Sequence, residues 1–309
     1  MNRLLRFIFS FIFIYSGLVF GQTNQIDSLK SLIIKLDDKA KTRAQLELVV
    51  AHHKNKNYKQ SIKLGLQIRD KARKLEKSEL GKLNNTIATS YYFIQSFDSA
   101  KTHFALSNQQ LNKLDKPRTL GLNYINLGGI AFYQNELDSA EKLFEKSISY
   151  FYLAGDSAMA IKAAINRSVV LGKLGKTIKQ IEFLKSSIPK IPKHDWKSIM
   201  ILEANIAGAF TTTSFNDSAM FYYLSALKTA KKHRDSTSQS YYLGNISQVF
   251  SNLNLVDKAL EYARSAYRIN KKLNRKSGII YSLLAIGRTK NLAEENDSAK
   301  FFYWKALKQ

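Results

Sequence analysis

Residues 126–147 read NLGGIAFYQNELDSAEKLFEKS, and this stretch decides the fold. Its tripeptide Asp138-Ser139-Ala140 returns as Asp98-Ser99-Ala100, Asp217-Ser218-Ala219 and Asp297-Ser298-Ala299, with Asp257-Lys258-Ala259 in the remaining slot. Taking the third residue as anchor, Gln180 fills the slot near 180 and Ser61 the one before 100. The seven anchors, Ser61, Ala100, Ala140, Gln180, Ala219, Ala259 and Ala299, are 39, 40, 40, 39, 40 and 40 residues apart. A fixed period of this size marks an array of stacked supersecondary units.

Each unit reads as two helices. A small residue stands about twelve before the anchor: Ala88, Gly128, Ser168, Ala207, Ser247 and Gly287, with Val49 larger. A large residue follows the anchor by four, and a small one by seven, as in Phe144 and Ser147 or Tyr303 and Ala306. Spacings of three, four and seven share one helical face, and small residues let two helices approach. The Asp two before the anchor suits an N-cap or first-turn acid. Ser78, Pro117, Asp156, Asp195, Asp235 and Ser277 suit the starts of the first helices. Residues 24–37 form a further amphipathic helix, with Ile26, Leu29, Ile33 and Leu36 on one face and Asp27-Ser28 at its start. No segment alternates long enough for a strand.

The pattern resembles the tetratricopeptide repeat family. Asn126-Leu127-Gly128, Asn205-Ile206-Ala207 and Asn245-Ile246-Ser247 resemble its Asn-Leu-Gly step, and Ala140, Phe144 and Ser147 its second helix. The long period resembles the subgroup of kinesin light chains and bacterial peptide-sensing regulators. The expected fold is an all-α, right-handed superhelical solenoid of about seven antiparallel helix pairs. The expected divisions are a signal peptide over 1–21, a capping helix within 22–40 and repeats over 41–309, with a bend near 188–195 at Pro189 and Pro192. Unit four departs most, at Arg167 and Gln180.

Met1 to Arg6 is basic, Leu4 to Phe20 is almost wholly apolar, and Val19-Phe20-Gly21 precedes Gln22. That order is a secretory signal peptide cut before Gln22, so a periplasmic or secreted protein is expected. Cysteine is absent, which excludes disulfides, thiolate metal sites, cysteine nucleophiles and a lipidated cysteine. The five histidines are scattered, with His52 and His53 adjacent on different faces, and no catalytic or phosphate-loop motif occurs. No enzyme activity, metal or cofactor is expected.

The net charge is +24, or +22 without Arg3 and Arg6. Lysine supplies 36 of the 48 basic residues, spread without long blocks. Lysine reads bases poorly, so nucleic acid is not expected, whereas an anionic envelope polymer fits.

Asn126, Asn166, Asn205 and Asn245 recur at 40, 39 and 40 residues. The resemblance places them on the inner wall, where asparagines hold an extended peptide by its backbone. Neighbouring inner-wall positions are Tyr92, Phe132, Tyr133, Lys162, Lys173, Tyr241, Gln248, Asn252, Tyr281 and Arg288. Aromatic rings there would supply area, and Lys and Arg would meet acidic groups or a terminal carboxylate. The implied role is a non-catalytic scaffold for a protein or peptide. The alternative is the sensory input region of a signal-transduction protein. The Asp-Ser-Ala tripeptides also resemble a bacterial O-glycosylation acceptor, which makes Ser99, Ser139, Ser157, Ser218 and Ser298 candidates. Ala299, Phe302, Tyr303 and Ala306 are expected to leave an apolar edge on the last helix, open to self-association or to a continuing chain.

Overall fold

The computed structural model describes residues 25–69, 75–111, 113 and 115–309. The signal-peptide expectation lies outside these residues. Among the described residues there are fifteen α-helices and no strand. The chain divides into two compact units, one up to Asp156 and one over Ser157–Gln309.

The first unit holds α1 (25–35), α2 (Asp38–Lys54), α3 (Tyr58–Arg69), α4 (Lys77–Phe93), α5 (Phe97–Gln110), α6 (Pro117–Tyr133) and α7 (Leu137–Leu153). The second holds α8 (Ser157–Lys173), α9 (Thr177–Ser187), a 3₁₀ turn at Ile188–Lys190, α10 (Trp196–Thr212), α11 (Asn216–Lys232), α12 (Ser236–Asn252), α13 (Val256–Lys272), α14 (Lys276–Leu292) and α15 (Asn296–Leu307). From α2 onward the helices pack as seven consecutive pairs. Helix α1 covers the first pair through Ile26, Leu29 and Ile33, which pack on Leu48 and Ala51 of α2.

The period has a simple origin. Most helices are 17 residues long, as in α10 to α14, and three-residue turns join them. A helix and a turn make 20 residues, and two make 40. Each tight turn has one residue in the left-handed region: Lys56, Gln95, Asn135, Gly155, Gly175, Ser214, Arg234, Asn254, Asn274 and Glu294. At Gly155 the amide donates to Tyr152 O at 3.0 Å, and the next amide, of Asp156, donates to Phe151 O at 2.9 Å. This Schellman pairing satisfies carbonyls the helix end would leave orphaned. It recurs at every one of these turns. Both 39-residue steps span links of another kind, Arg69 to Lys77 and Ser187 to Trp196.

Five of the anchors, Ser61, Ala100, Ala140, Ala219 and Ala259, are fully buried, and Ala299 nearly so. Opposite them the small residues of the first helices receive rings. A methyl group on Gly128 would come within 2.8 Å of Phe144, and one on Gly287 within 2.6 Å of Tyr303. Serine adds hydrogen bonds that size alone does not require. Ser107 and Ser147 donate to the carbonyls of Gly81 and Gly121 at 2.9 and 2.8 Å, and Ser61 to Val49 O at 2.9 Å. Unit four keeps the packing by exchange. Gln180 is half-buried against Gly172, and Arg167 lies 4.7 Å over the Phe183 ring.

Several cap assignments differ from the sequence reading. Asp195 and Asp235 do cap α10 and α12, each accepting an amide three residues on. Pro117 does open α6. Ser78 does not start α4: Glu76 caps it through a reciprocal box with Glu79, which leaves Ser78 in the first turn. Ser277 likewise follows the cap position of α14, held by Arg275. Helix α1 is described from residue 25, and Asp27 lies within it rather than ahead of it. Of the two roles expected for the Asp before the anchor, the structure has the first-turn acid, as at Asp98, Asp138, Asp217 and Asp297.

At Pro189 and Pro192 the helix ends, and the core continues. Ile191 is buried with Ile181, Leu184, Leu202 and Ile206 in one cluster. The edge expected at α15 is also corrected. Ala299 and Ala306 are buried and Phe302 is half-buried, because this face packs on α14. The exposed apolar residues of α15 are Phe301, Trp304 and Leu307.

Candidate functional site

Helices α10, α12 and α14 of the second unit lie side by side. Their shared face carries two adjoining concavities. The larger, about 520 Å³, is lined by Tyr241, Gly244, Asn245 and Gln248 of α12, by Tyr281, Ala285 and Arg288 of α14, and by Ser240, Asn270, Arg275, Ser277, Gly278 and Ser282 toward one end. The smaller, about 300 Å³, is lined by Ile201, Ala204 and Asn205 of α10, and by Thr237, Ser238, Tyr241, Tyr242 and Arg275. Tyr241 and Arg275 belong to both.

The chemistry of the larger concavity is amphipathic and positive. Tyr241 is 62% exposed and Tyr281 71% exposed, so two rings one repeat apart are open to solvent. Arg275 and Arg288 are cationic, and no carboxylate lines either concavity. A polar network lies beneath. Asn270 is buried, donates at 3.1 Å to both Gly278 O and Ser282 Oγ, and accepts from Ser240 Oγ at 3.0 Å. Arg275 approaches the same network at Ser240 Oγ, 3.4 Å. A side chain on Gly278 would collide with the amide of Asn270, so glycine there is a condition of the network.

The predicted asparagines differ among themselves. Asn205 spends its amide hydrogen on Ile201 O at 2.8 Å, which leaves its oxygen as an acceptor. Asn245 Nδ2 is buried and has no hydrogen-bond partner among the described residues. A buried unpaired amide costs free energy, so its retention needs a reason. Asn166 is exposed on α8, with Lys162 and Lys173 also exposed there. Asn126 lies in the first unit and is half-buried. Gln248 donates to Asn252 at 2.9 Å, which orients one groove residue by another.

Tyr92, Phe132 and Tyr133 fall in the first unit and line neither concavity. Tyr133 is exposed and meets Phe97 at 5.0 Å between ring centres, and Phe97 meets Tyr92 at 6.0 Å. The rings continue through Phe93, Tyr58 and His53 along the α2–α3 and α4–α5 turns. Of the sequence-predicted residues, the structure therefore brings together Asn205, Tyr241, Asn245, Gln248, Tyr281 and Arg288. Sequence reasoning missed Arg275 and the Ser240–Asn270–Ser282 floor. Their signal was faint: Asn270 stands where the preceding pair has the fully buried Ala230, forty residues earlier.

Burial sets the titration of several side chains. It pushes the Tyr223 hydroxyl up to about 12, and Tyr242 upward too. Burial raises Glu203, against an opposing hydrogen bond from Ser225. Asp235 is raised by burial, but hydrogen bonds from Ser238 and the charge of Lys197 outweigh this and bring it below the usual range. Among the described residues no group of three or more His, Asp or Glu side chains could hold a metal ion. No described helix is long and apolar enough to cross a membrane.

The glycosylation candidates sit in first turns of helices. Ser139 is exposed, and Ser99, Ser157, Ser218 and Ser298 are half-buried.

No family model and no curated protein matches the chain. Solved structures do. The chain is similar to a signal-transduction ATPase with a tetratricopeptide repeat sensor from Pyrococcus horikoshii, at TM-score 0.68 and 12% identity over 90% of this chain and 43% of that one. It is similar to the apo form of RapI, at TM-score 0.62 and 15% identity over 86% and 75% of the two chains. A Rap protein complexed with competence and sporulation factor follows, at TM-score 0.57 and 14% identity over 88% and 76%. The fold is of the tetratricopeptide-repeat type.

Proposed function

We propose that the chain is a non-catalytic binding scaffold, and that the concave face of α10, α12 and α14 takes an extended peptide or protein segment. One observation carries this reading: six side chains expected to line a peptide groove line two adjoining concavities. Tyr241 and Tyr281 would pack against ligand side chains, while Asn205 and Asn245 would accept hydrogen bonds from its backbone amides through their side-chain oxygens. Arg275 and Arg288, with no acid beside them, favour a segment carrying a carboxylate. The likeness to a Rap protein complexed with competence and sporulation factor supports the reading.

A displayed random-peptide library selected on the protein tests it, followed by titration of the enriched peptides. Aromatic hot spots contribute about 2 kcal/mol each, so Tyr241→Ala or Tyr281→Ala should weaken binding roughly thirtyfold. Asn205→Ala with Asn245→Ala should do likewise while leaving helical content unchanged. Peptides held equally well by all variants would sink the groove reading.

The likeness to a repeat sensor favours a second reading, as the input part of a signalling protein. Both readings place the chain outside the cytoplasm, on the strength of residues 1–21. An N-terminus at Gln22 on protein recovered from the cell envelope is the expected result. Mass spectrometry of the same material tests glycan addition, first at the exposed Ser139.

A further inference from the structure

The second unit has an edge of nearly unopposed positive charge, at the ends of α11 and α13. Three-residue turns reverse the chain at each step, so α11 and α13 run in the same direction and end on the same side. Lys228, Lys231, Lys232 and Arg234 are exposed at the first end. Arg268, Lys271, Lys272 and Lys276 are exposed at the second. Lys228 and Arg268, Lys231 and Lys271, and Lys232 and Lys272 are each forty residues apart, so the charges repeat in register. Between residues 228–236 and 268–276 the sole carboxylate is Asp235, and its oxygens are taken by Ser238. None of these eight cations has an ion-pair partner among the described residues.

Cations in a last turn do favour the helix dipole. That does not by itself account for this edge: the equivalent helices α5 and α7 have no base in their last turns, α3, α9 and α15 have one each, and only α11 and α13 have two. Single bases occur at other helix ends, and what sets this edge apart is that paired lysines continue into basic turns and repeat in register. Its composition also indicates the partner. Lysine predominates, and an ammonium is a point charge rather than a shape-reading fork. The sole aromatic side chain within those two stretches, His233, is already stacked on Trp196 at 3.9 Å, so none stands free to stack on bases. Leu273 is their one exposed large apolar residue, too little to insert in a bilayer.

We propose that this edge binds a linear, non-nucleic polymer of phosphate groups, a site separate from the peptide groove. The experiment titrates the full chain with inorganic polyphosphate, with orthophosphate, thymidine oligonucleotide and anionic vesicles as parallel probes. Binding of polyphosphate alone, or tightest of the four, is expected. With about four contacts neutralised, affinity should fall roughly fiftyfold between 50 and 200 mM salt. Lys231, Lys232, Lys271 and Lys272 changed together to Gln should weaken it roughly tenfold or more. A control changes Lys39, Lys59, Lys63 and Lys142 to Gln, which removes the same charge from the first unit. It should retain near-original affinity. Equal loss in the two fourfold variants would show diffuse attraction and overturn the site. Tighter binding of oligonucleotide or vesicles would overturn the proposed partner.

Discussion

Gly278 shows how one missing methyl group can decide a surface. Its Cβ position is occupied by the Asn270 amide, which organises Ser240, Ser282 and Arg275 under the groove. Gly278→Ala should destabilise the second unit by about 1–3 kcal/mol through overpacking, despite the better helix propensity of alanine. Denaturant unfolding of the two proteins measures this. Glu203 is another residue whose setting has a readable consequence. Burial raises its pKa, so the folded state holds its proton more tightly than the unfolded chain does. Stability contributed by the group is thus lost as pH rises from the ordinary carboxylate pKa through the raised one. Glu203→Gln retains an acceptor for Ser225 and removes the charge. It should melt higher than the parent at neutral pH, and the gap should close in acid.

At the level of helices and turns, eight of the ten tight turns place a side chain where glycine is easiest. Left-handed backbone costs a non-glycine residue on the order of 1–2 kcal/mol, partly offset by the extra freedom glycine has when unfolded. Gln95→Gly and Arg234→Gly should each therefore stabilise by about 0.5–1 kcal/mol in chemical denaturation. These turns also mark where sequence and structure part. The helix pairs were legible because Ala100, Gly128 and Phe144 repeat their sizes, and size is what helix packing selects. Asn135, Gly155 and Gly175 advertise their turns, whereas Lys56 and Glu294 do not, since the turn is imposed by the helices on either side. Caps at Ser78 and Ser277 were misplaced because Glu76 and Arg275 hold those positions without the usual cap side chains. The groove was half legible. Asn205, Asn245 and the two tyrosines follow the repeat, but Asn270 and Arg275 break it, and a departure in one copy has no period to reveal it.

Across the whole chain the two units differ in how acid should affect them. His52, His53 and His103 all lie in the first unit, and burial lowers the pKa of each. His103 Nδ1 lies 2.9 Å from Asn84 Oδ1, and His53 Nδ1 2.8 Å from Ser90 Oγ. A lowered histidine pKa means the unfolded chain takes up protons first. Stability from these groups is complete above about pH 6.5 and declines as pH falls through the unfolded value toward the folded ones. Both tryptophans, Trp196 and Trp304, lie in the second unit. Lowering the pH from 7.5 to 5 should reduce the melting midpoint seen by helical circular dichroism more than the midpoint seen by tryptophan emission. Coincident shifts would mean the two units unfold together. The regular alternation of helix and turn has a consequence for ancestry as well. Phe215 and Leu255 stand in the same cap position before α11 and α13. Unequal crossing-over between those codons would excise residues 216–255 and join equivalent ends. Such an exchange would remove one whole pair and leave every remaining helix-to-turn junction of the same kind, so the array can change length by pairs without a new type of joint.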